Sequence, residues 1–524
     1  MAKSFVKGAV LLTVCGFIGK VIGAFYRIPF SYIVGAEGVG LYQLVYPLFT
    51  LMLTISSSGL PSSISKLLSE QWASGQYSLA RKTFKFSMMF LLVFSFIGSL
   101  IIATFAYPIS QLQGNTNAFG CYLAICPAVF FVGIISGFRG FFQAKENMVP
   151  TAVSGLIEQI VKLVVGLGFA YLFRESVVKA TMGALLGVTI SEVVASVYLI
   201  INYYIFKRKQ VVVLLTNQSI ELSNKEIIKK IISIALPIAF GGLIMPITLL
   251  IDSGLIVKLL SKSFSASTAT TLYGLQSGVV GSLSNLPVVA SVAIATAILP
   301  KISKETAYKN SDTIVQSIKH AIEFVLLVAL PIAVCFYIFS DQLILFLYQN
   351  TFSVVELEVC SKLLKLSSLN IVMLSMAQVT ASILQGLGKV KTPVFSLIVG
   401  AIIKVISLVI LVNVPSINIY GAEISDAICY GVVMAINLGV IHKNVKYNNV
   451  TNLAKVCGAT VIVGLVAYIT NMLVYPQFST TISLIIAGGT TAIVYLLLVV
   501  LTINAEKRKQ IKFAYQKVRE IRKK

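Results

Sequence analysis

Apolar residues run in stretches of roughly 20–30 from one end of this chain to the other, and short polar breaks part them. Each stretch is long enough to cross a ~30 Å hydrocarbon core as a helix. The pattern predicts fourteen spans, at 5–33, 40–68, 83–107, 118–141, 150–173, 180–206, 227–258, 270–300, 317–339, 355–385, 393–413, 418–442, 453–474 and 480–503. The first stretch follows a basic start but has no small-residue cleavage site after it, so it is expected to be a retained span. Pro47, Pro61, Pro237, Pro246 and Pro287 are expected to bend the helices that hold them. The longest polar break, KRKQVVVLLTNQSIELSNKE at 207–226, falls between spans six and seven.

The pattern also repeats. GLYQLVYPLF at 40–49 resembles TLYGLQSGVV at 271–280, and FFQAKENMVPTAVSGLIEQIVKLV at 141–164 parallels ILQGLGKVKTPVFSLIVGAIIKVI at 383–406. In the second pair a Gln leads into a basic connection, a Pro opens a helix, and a Lys lies deep inside it. A six-span offset preserves orientation, so the repeat is parallel, about an axis along the membrane normal. The expected architecture is an all-α integral membrane protein. It has a six-helix lobe at 1–206, a cytoplasmic linker at 207–226, a second six-helix lobe at 227–446, two extra spans within 447–503 and a basic tail at 504–524.

Composition changes the reading in one respect only. Hydrophobic residues make up 57% of 524, mean hydropathy is +0.90 and 12% are charged. A soluble chain would carry about twice that charged share. A net charge of +23 would suggest nucleic acid in a soluble domain. Here the cations cluster in alternate breaks, as at Arg81/Lys82/Lys85, Lys207–Lys209 and Lys301/Lys304. That is the positive-inside pattern, which puts both termini in the cytoplasm; the basic tail is expected to lie on anionic lipid, or alternatively to bind a partner. The seven cysteines lie mostly in apolar segments without metal-ligand spacing, so no metal or other cofactor is expected.

Ionisable residues inside spans are costly and mark candidate sites. They are Lys20, Arg27, Glu158, Lys162, Glu192, Asp252, Lys404, Glu423 and Asp426. Arg27 precedes Tyr42 by 15 residues, as Lys258 precedes Tyr273, which makes the two cations repeat-equivalent. Lys162 and Lys404 follow Pro150 and Pro393 by 12 and 11 residues and form a second such pair. Cations offered by both lobes would make a positive cavity suited to a phosphate or pyrophosphate headgroup. Lys20, Arg27, Lys162, Lys258 and Lys404, with Tyr42, Tyr273 and Gln276, are the expected substrate contacts. Arg139 and Gln143 are the expected cytoplasmic gate. Asp252 is a candidate counter-ion or coupling-ion ligand. Glu158 stands four residues before Lys162 and is expected to pair with it, a pairing that alternatively only neutralises itself. Lys404 has no such neighbour. Arg27 and Lys258 alternatively snorkel to headgroups. Glu423 and Asp426 are expected at the outer mouth, in water.

The stretch GFRGFFQAKENMVPTAVSGLIEQIVKL at 137–163 resembles the signature of polysaccharide exporters, and GAEGVGLYQLVYPLFTLMLTISSSGLPSSISKLLSE at 35–70 is similar to their second span. The likeness is to the stage V sporulation protein B family, within the exporter superfamily that holds multidrug, oligosaccharidyl-lipid and polysaccharide exporters and the peptidoglycan lipid II flippases. It covers essentially the whole chain. It implies a bacterial cell-membrane flippase for an undecaprenyl-pyrophosphate-linked saccharide, working by alternating access, with cell-wall synthesis proteins as neighbours. It also implies a cavity-facing cationic pair in the first span, which maps onto Lys20 and Arg27. Here the first is Lys rather than Arg, the spacing is one residue longer, and Ile28 and Pro29 follow where relatives tend to carry an acid.

Such a cycle runs on a coupling ion, sodium or proton, or on membrane potential alone. A cation-coupled multidrug exporter is the nearest competing reading, but it should favour acids over bases in its cavity. A membrane glycosyltransferase would need a base or metal-binding acids, and the only histidines are His320 and His442, near cytoplasmic ends. A non-transporting scaffold is the remaining alternative.

Overall fold

In a computed structural model of the chain, residues 2–209, 223–308, 311–445 and 450–521 are described. Most of the 207–226 linker lies outside them, as do the side chains of Lys20, of Pro237 and of residues 501–521. Every element is helical among the described residues. The helices are α1 Ala2–Thr54, α2 Leu60–Ala73, α3 Tyr77–Leu112, α4 Ala118–Ala144, α5 Val149–Val161, α6 Leu167–Leu172, α7 Val177–Lys209, α8 Asn224–Leu260 and α9 Ala266–Tyr273. They continue as α10 Gly281–Ala307, α11 Ser311–Ile338, α12 Ser340–Tyr348, α13 Val354–Gly386, α14 Lys391–Val412, α15 Tyr420–Asn444, α16 Val450–Val474 and α17 Thr480–Ile521.

Twelve helical stretches among the described residues are long and apolar enough to cross a membrane. One of them is broken: α1 runs through the first expected span and into the second, which ends in α2, and within α1 only Gly35, at φ +67°, leaves the helical range. A side chain there would be strained, so glycine replaces the expected loop with a single-residue hinge. Dividing α1 at Gly35 and adding the 37-residue α8 brings the number among the described residues to about the expected fourteen. The nine-residue α12 was hidden in an expected loop. Among the described residues three π-helical turns, Ile55–Gly59, Lys162–Gly166 and Gly274–Val280, interrupt spans without ending them. The first lies between Pro47 and Pro61, two of the prolines expected to bend their helices.

Two helix starts follow from local sequence. Ser223 Oγ accepts the Glu226 N–H and the Glu226 carboxylate accepts the Ser223 N–H, which opens α8. Ser353 and Glu356 open α13 in the same way. Each reciprocal pair satisfies donors that the first turn would otherwise strand.

The chain packs into two compact units, 1–283 with 405–422, and 284–404 with 423–524. The first has a core where α2, α3, α4, α7 and the start of α8 meet, built from Ile64, Leu68, Leu91, Phe142, Leu199 and Ile231. Its α8, α9 and the π turn 274–280 pack on α1. The second unit centres on Ile302, Ile318, Val325, Val379, Ile383 and Ile441, from α10, α11, α13 and α15.

Candidate functional site

In the first unit α1, α4, α5 and the π turn 162–166 wall a cavity of about 410 Å³. One wall is α1, with Leu12, Cys15, Gly16, Gly19 and Gly23, and the last two glycines bring its backbone close to Gln159. The opposite wall carries Arg139, Glu158 and Lys162. Arg139 Nη2 donates to Glu158 Oε1 at 2.6 Å and to Ser154 Oγ at 2.9 Å, and Nε reaches the same hydroxyl at 3.1 Å. Glu158 thus pairs with Arg139 of α4, not with Lys162 as its spacing suggested. The guanidinium fork makes two directed contacts across neighbouring helices, which a four-residue intrahelical contact to a lysine cannot match. Lys162 is left with its ammonium 5.5 Å from the Tyr26 ring centroid. It stands at the first position of the π turn and lines the cavity without an ion pair among the described residues.

A second polar chain adjoins this wall. Arg27 is half-buried, donates to Gln43 Oε1 at 2.9 Å, and sits 5.6 Å from the Tyr42 ring. Gln43 donates onward to Ser277 Oγ at 2.8 Å, and the Tyr273 hydroxyl reaches the Gln43 carbonyl at 3.4 Å. Tyr42 stacks on Tyr46, 5.0 Å away, and Tyr46 lines the cavity. The Tyr26 ring lies between Tyr42 and Lys162, so the two cations share one aromatic wall. Replacing Gln43 by Ala should free Arg27 and leave Ser277 without its amide donor, at a cost of about 1–2 kcal/mol. Thermal unfolding of the purified variant measures this, and an unchanged melting temperature would exclude it.

The other expected residues fall elsewhere. Lys258 is exposed on the last turn of α8, where a cation faces the carbonyl end of the helix dipole. Its symmetry with Arg27 holds in sequence but not in burial. Gln276 and Asp252 are buried in the first unit, and Gln143 is half-buried at the end of α4. In the second unit Lys404 is 5% exposed, with Nζ 2.6 Å from Asp426 Oδ1 in an ion pair set off the hydrogen-bonding angle. Glu423 is buried and accepts from Asn370 Nδ2 at 2.8 Å. These two acids are therefore packed among helices rather than held in water at a mouth. Span edges were read from hydropathy alone, which does not register a lysine on the neighbouring span.

Sequence reasoning passed over Gln43, Ser277 and Ser154, which are neutral and carry no cost signal inside a span. Gln43 had one available pointer, its place beside the repeat-equivalent Tyr42.

A family profile described as polysaccharide biosynthesis protein matches residues 5–306, and one described as MatE matches 237–410. The chain is 29% identical to the lipid II flippase MurJ of Bacillus subtilis over 84% of its own length and 81% of that protein's. It is 28% identical to the stage V sporulation protein B of the same organism, over 83% and 82%. Its fold matches a lipid II flippase MurJ structure described as inward closed, with a TM-score of 0.72, 15% identity, and 95% and 99% of the two chains covered. It also matches an inward-facing multidrug resistance MATE family transporter, with a TM-score of 0.69, 16% identity, and 84% and 98% covered. With the profile spanning more than half its length, this multi-pass membrane chain belongs to the polysaccharide biosynthesis protein family.

Proposed function

We propose that this chain is an alternating-access flippase that moves an undecaprenyl-pyrophosphate-linked saccharide, lipid II or a related cell-wall precursor, from the inner to the outer leaflet. The observation that carries the reading is the sign of the cavity wall. Arg139 and Lys162 line it against one acid, Glu158, and that acid is already engaged by Arg139. The wall therefore offers net positive charge to a headgroup, and Lys162 is the cation open to pair with it. A pyrophosphate diester carries two negative charges on a compact group, which such a wall attracts in a low-dielectric setting. Arg27, behind the same aromatic wall, supplies a forked donor if Gln43 releases it. No covalent step is needed: charge holds the headgroup while the helices around it rearrange. The relatives named for lipid II flipping and for sporulation support the substrate class. A multidrug exporter, whose substrates are typically cations, fits the fold but not a wall of this sign.

The cell membrane with both termini cytoplasmic, two six-helix lobes, and neighbouring cell-wall synthesis proteins belong to the same reading. Reconstitution tests it. In proteoliposomes containing labelled lipid II, the chain should bring label to the outer leaflet, and Lys162→Ala and Arg27→Ala should each slow this by about tenfold or more, the equivalent of one lost charge-assisted contact. Full rates in both variants, or export of an organic cation in place of lipid II, would overturn the reading.

A further inference from the structure

The cavity holds a polar group that the charge of its wall does not use. Gln159 of α5 lines it, next to Glu158 on the same helix and three residues before Lys162. Its side chain lies across the glycine face of α1. A Cβ built at Gly19 would sit 3.4 Å from Gln159 Cγ, and one at Gly23 would sit 3.3 Å from Oε1. The two glycines therefore give the amide its room, and a methyl group at Gly23 would press on its oxygen. Three buried glutamines of the same unit are committed to the protein: Gln43 donates to Ser277, Gln71 to Thr83 and Gln113 to the Leu44 carbonyl. Gln159 is half-buried and makes no hydrogen bond among the described residues. Two N–H donors and one carbonyl acceptor thus face the cavity inside a span, where polar groups are costly unless something in the cavity pairs with them.

Resting on the flippase reading, we propose that Gln159 reads the saccharide of the transported lipid. Its amide hydrogen-bonds the sugar joined directly to the pyrophosphate, so the chain prefers a sugar-bearing polyprenyl pyrophosphate to the bare one. Position carries the argument. Arg139 is held against Ser154 and Glu158, and Lys162 stands three residues beyond Gln159, so the amide has a cation on either side along α5. Three residues are about 4.5 Å along a helix. That is the reach from a phosphate to the hydroxyl and acetamido groups of the sugar bonded to it. Arg139 and Lys162 attract any pyrophosphate, with or without a sugar, so charge alone does not choose between the two lipids. A neutral amide does choose, because it gives and accepts hydrogen bonds that the bare lipid cannot return.

The test uses the full chain in proteoliposomes with two labelled lipids, undecaprenyl pyrophosphate and the same lipid bearing one N-acetylhexosamine. At low lipid concentration the wild-type chain should move the sugar-bearing lipid about fivefold faster, the equivalent of one neutral hydrogen bond. Gln159→Leu, which keeps much of the side chain's size, should bring the ratio of the two rates close to one. Gly23→Ala, which crowds the amide oxygen, should lower the ratio as well. Lys162→Ala should slow both lipids and leave the ratio, as would any variant whose fault is only structural. A diazirine on the N-acyl group of the sugar should label the α5 peptide that holds Gln159 in the wild-type chain, a readout that depends on no variant. A wild-type ratio near one, a ratio kept in Gln159→Leu, or label confined to other helices overturns the sugar contact and leaves the flippase reading standing. Movement of neither lipid overturns both.

Discussion

Lys404→Ala should be among the most destabilising single substitutions in this chain, at about 3–5 kcal/mol, because it strands a buried carboxylate. Lys404 is 5% exposed, and its ammonium sits 2.6 Å from Asp426 Oδ1. Removing the cation leaves Asp426, whose Oδ1 is buried, with its charge uncompensated, or forces it to bind a proton. Removing both charges together avoids that cost. Lys404→Met with Asp426→Leu should therefore recover most of the loss, since paired buried ions are often replaced by apolar groups without net penalty. Melting temperatures of purified single and double variants measure the coupling. A single variant that melts with the wild type would show that the pair contributes nothing, and a double variant no better than the single would show that the loss is not electrostatic. The same pairing separates Lys404 from Lys162. The two are repeat-equivalent, but Lys404 is committed to an acid, whereas Lys162 faces a cavity. A stability loss at Lys404 and a transport loss at Lys162 is the expected division.

The second large effect is expected at Gly40. Its backbone packs against the carbonyl of Thr270, and a Cβ built there would overlap that oxygen and its carbon. Gly274 is in the same position from the other side, against Ala36 and Gly40. The close approach lets Gln43, Tyr273 and Ser277 meet in one hydrogen-bonded group. Gly40→Ala should cost about 3 kcal/mol, since a backbone oxygen cannot rotate away as a side chain can. It should also lengthen the Gln43–Ser277 contact, 2.8 Å in the wild type. Gly98→Ala is the matched control, because a Cβ there would make only ordinary contacts with Val129 and Met52. Equal melting temperatures for Gly40→Ala and Gly98→Ala would refute the close-packing account.

Much of the architecture was legible because membrane helices obey a length rule that hydropathy reads directly. The span at 118–141 became Ala118–Ala144, and the span at 355–385 became Val354–Gly386. Ser-x-x-Glu at 223–226 and 353–356 marks two starts through local hydrogen bonds. Gly35 was less legible: glycine at a span boundary allows either a loop or a one-residue break, and only the packing of both halves selects the break. The π turns were not legible at all, since an i to i+5 turn has no composition of its own.

The candidate site divides in the same way. The sequence by itself determined which residues would be expensive in a membrane, and Glu158, Lys162, Lys404 and Asp426 all carry that cost in their chemistry. It also determined the repeat that sets Lys162 against Lys404. Tertiary structure decided the partners. Glu158 took Arg139 from the preceding helix over Lys162 one turn away, Lys404 found Asp426, and Arg27 found Gln43. The physical reason is that a charge in a span is stabilised by whichever donor or acceptor the neighbouring helix brings within about 3 Å. Helix spacing along the chain specifies a face, and the helix opposite that face is known only once the bundle has formed.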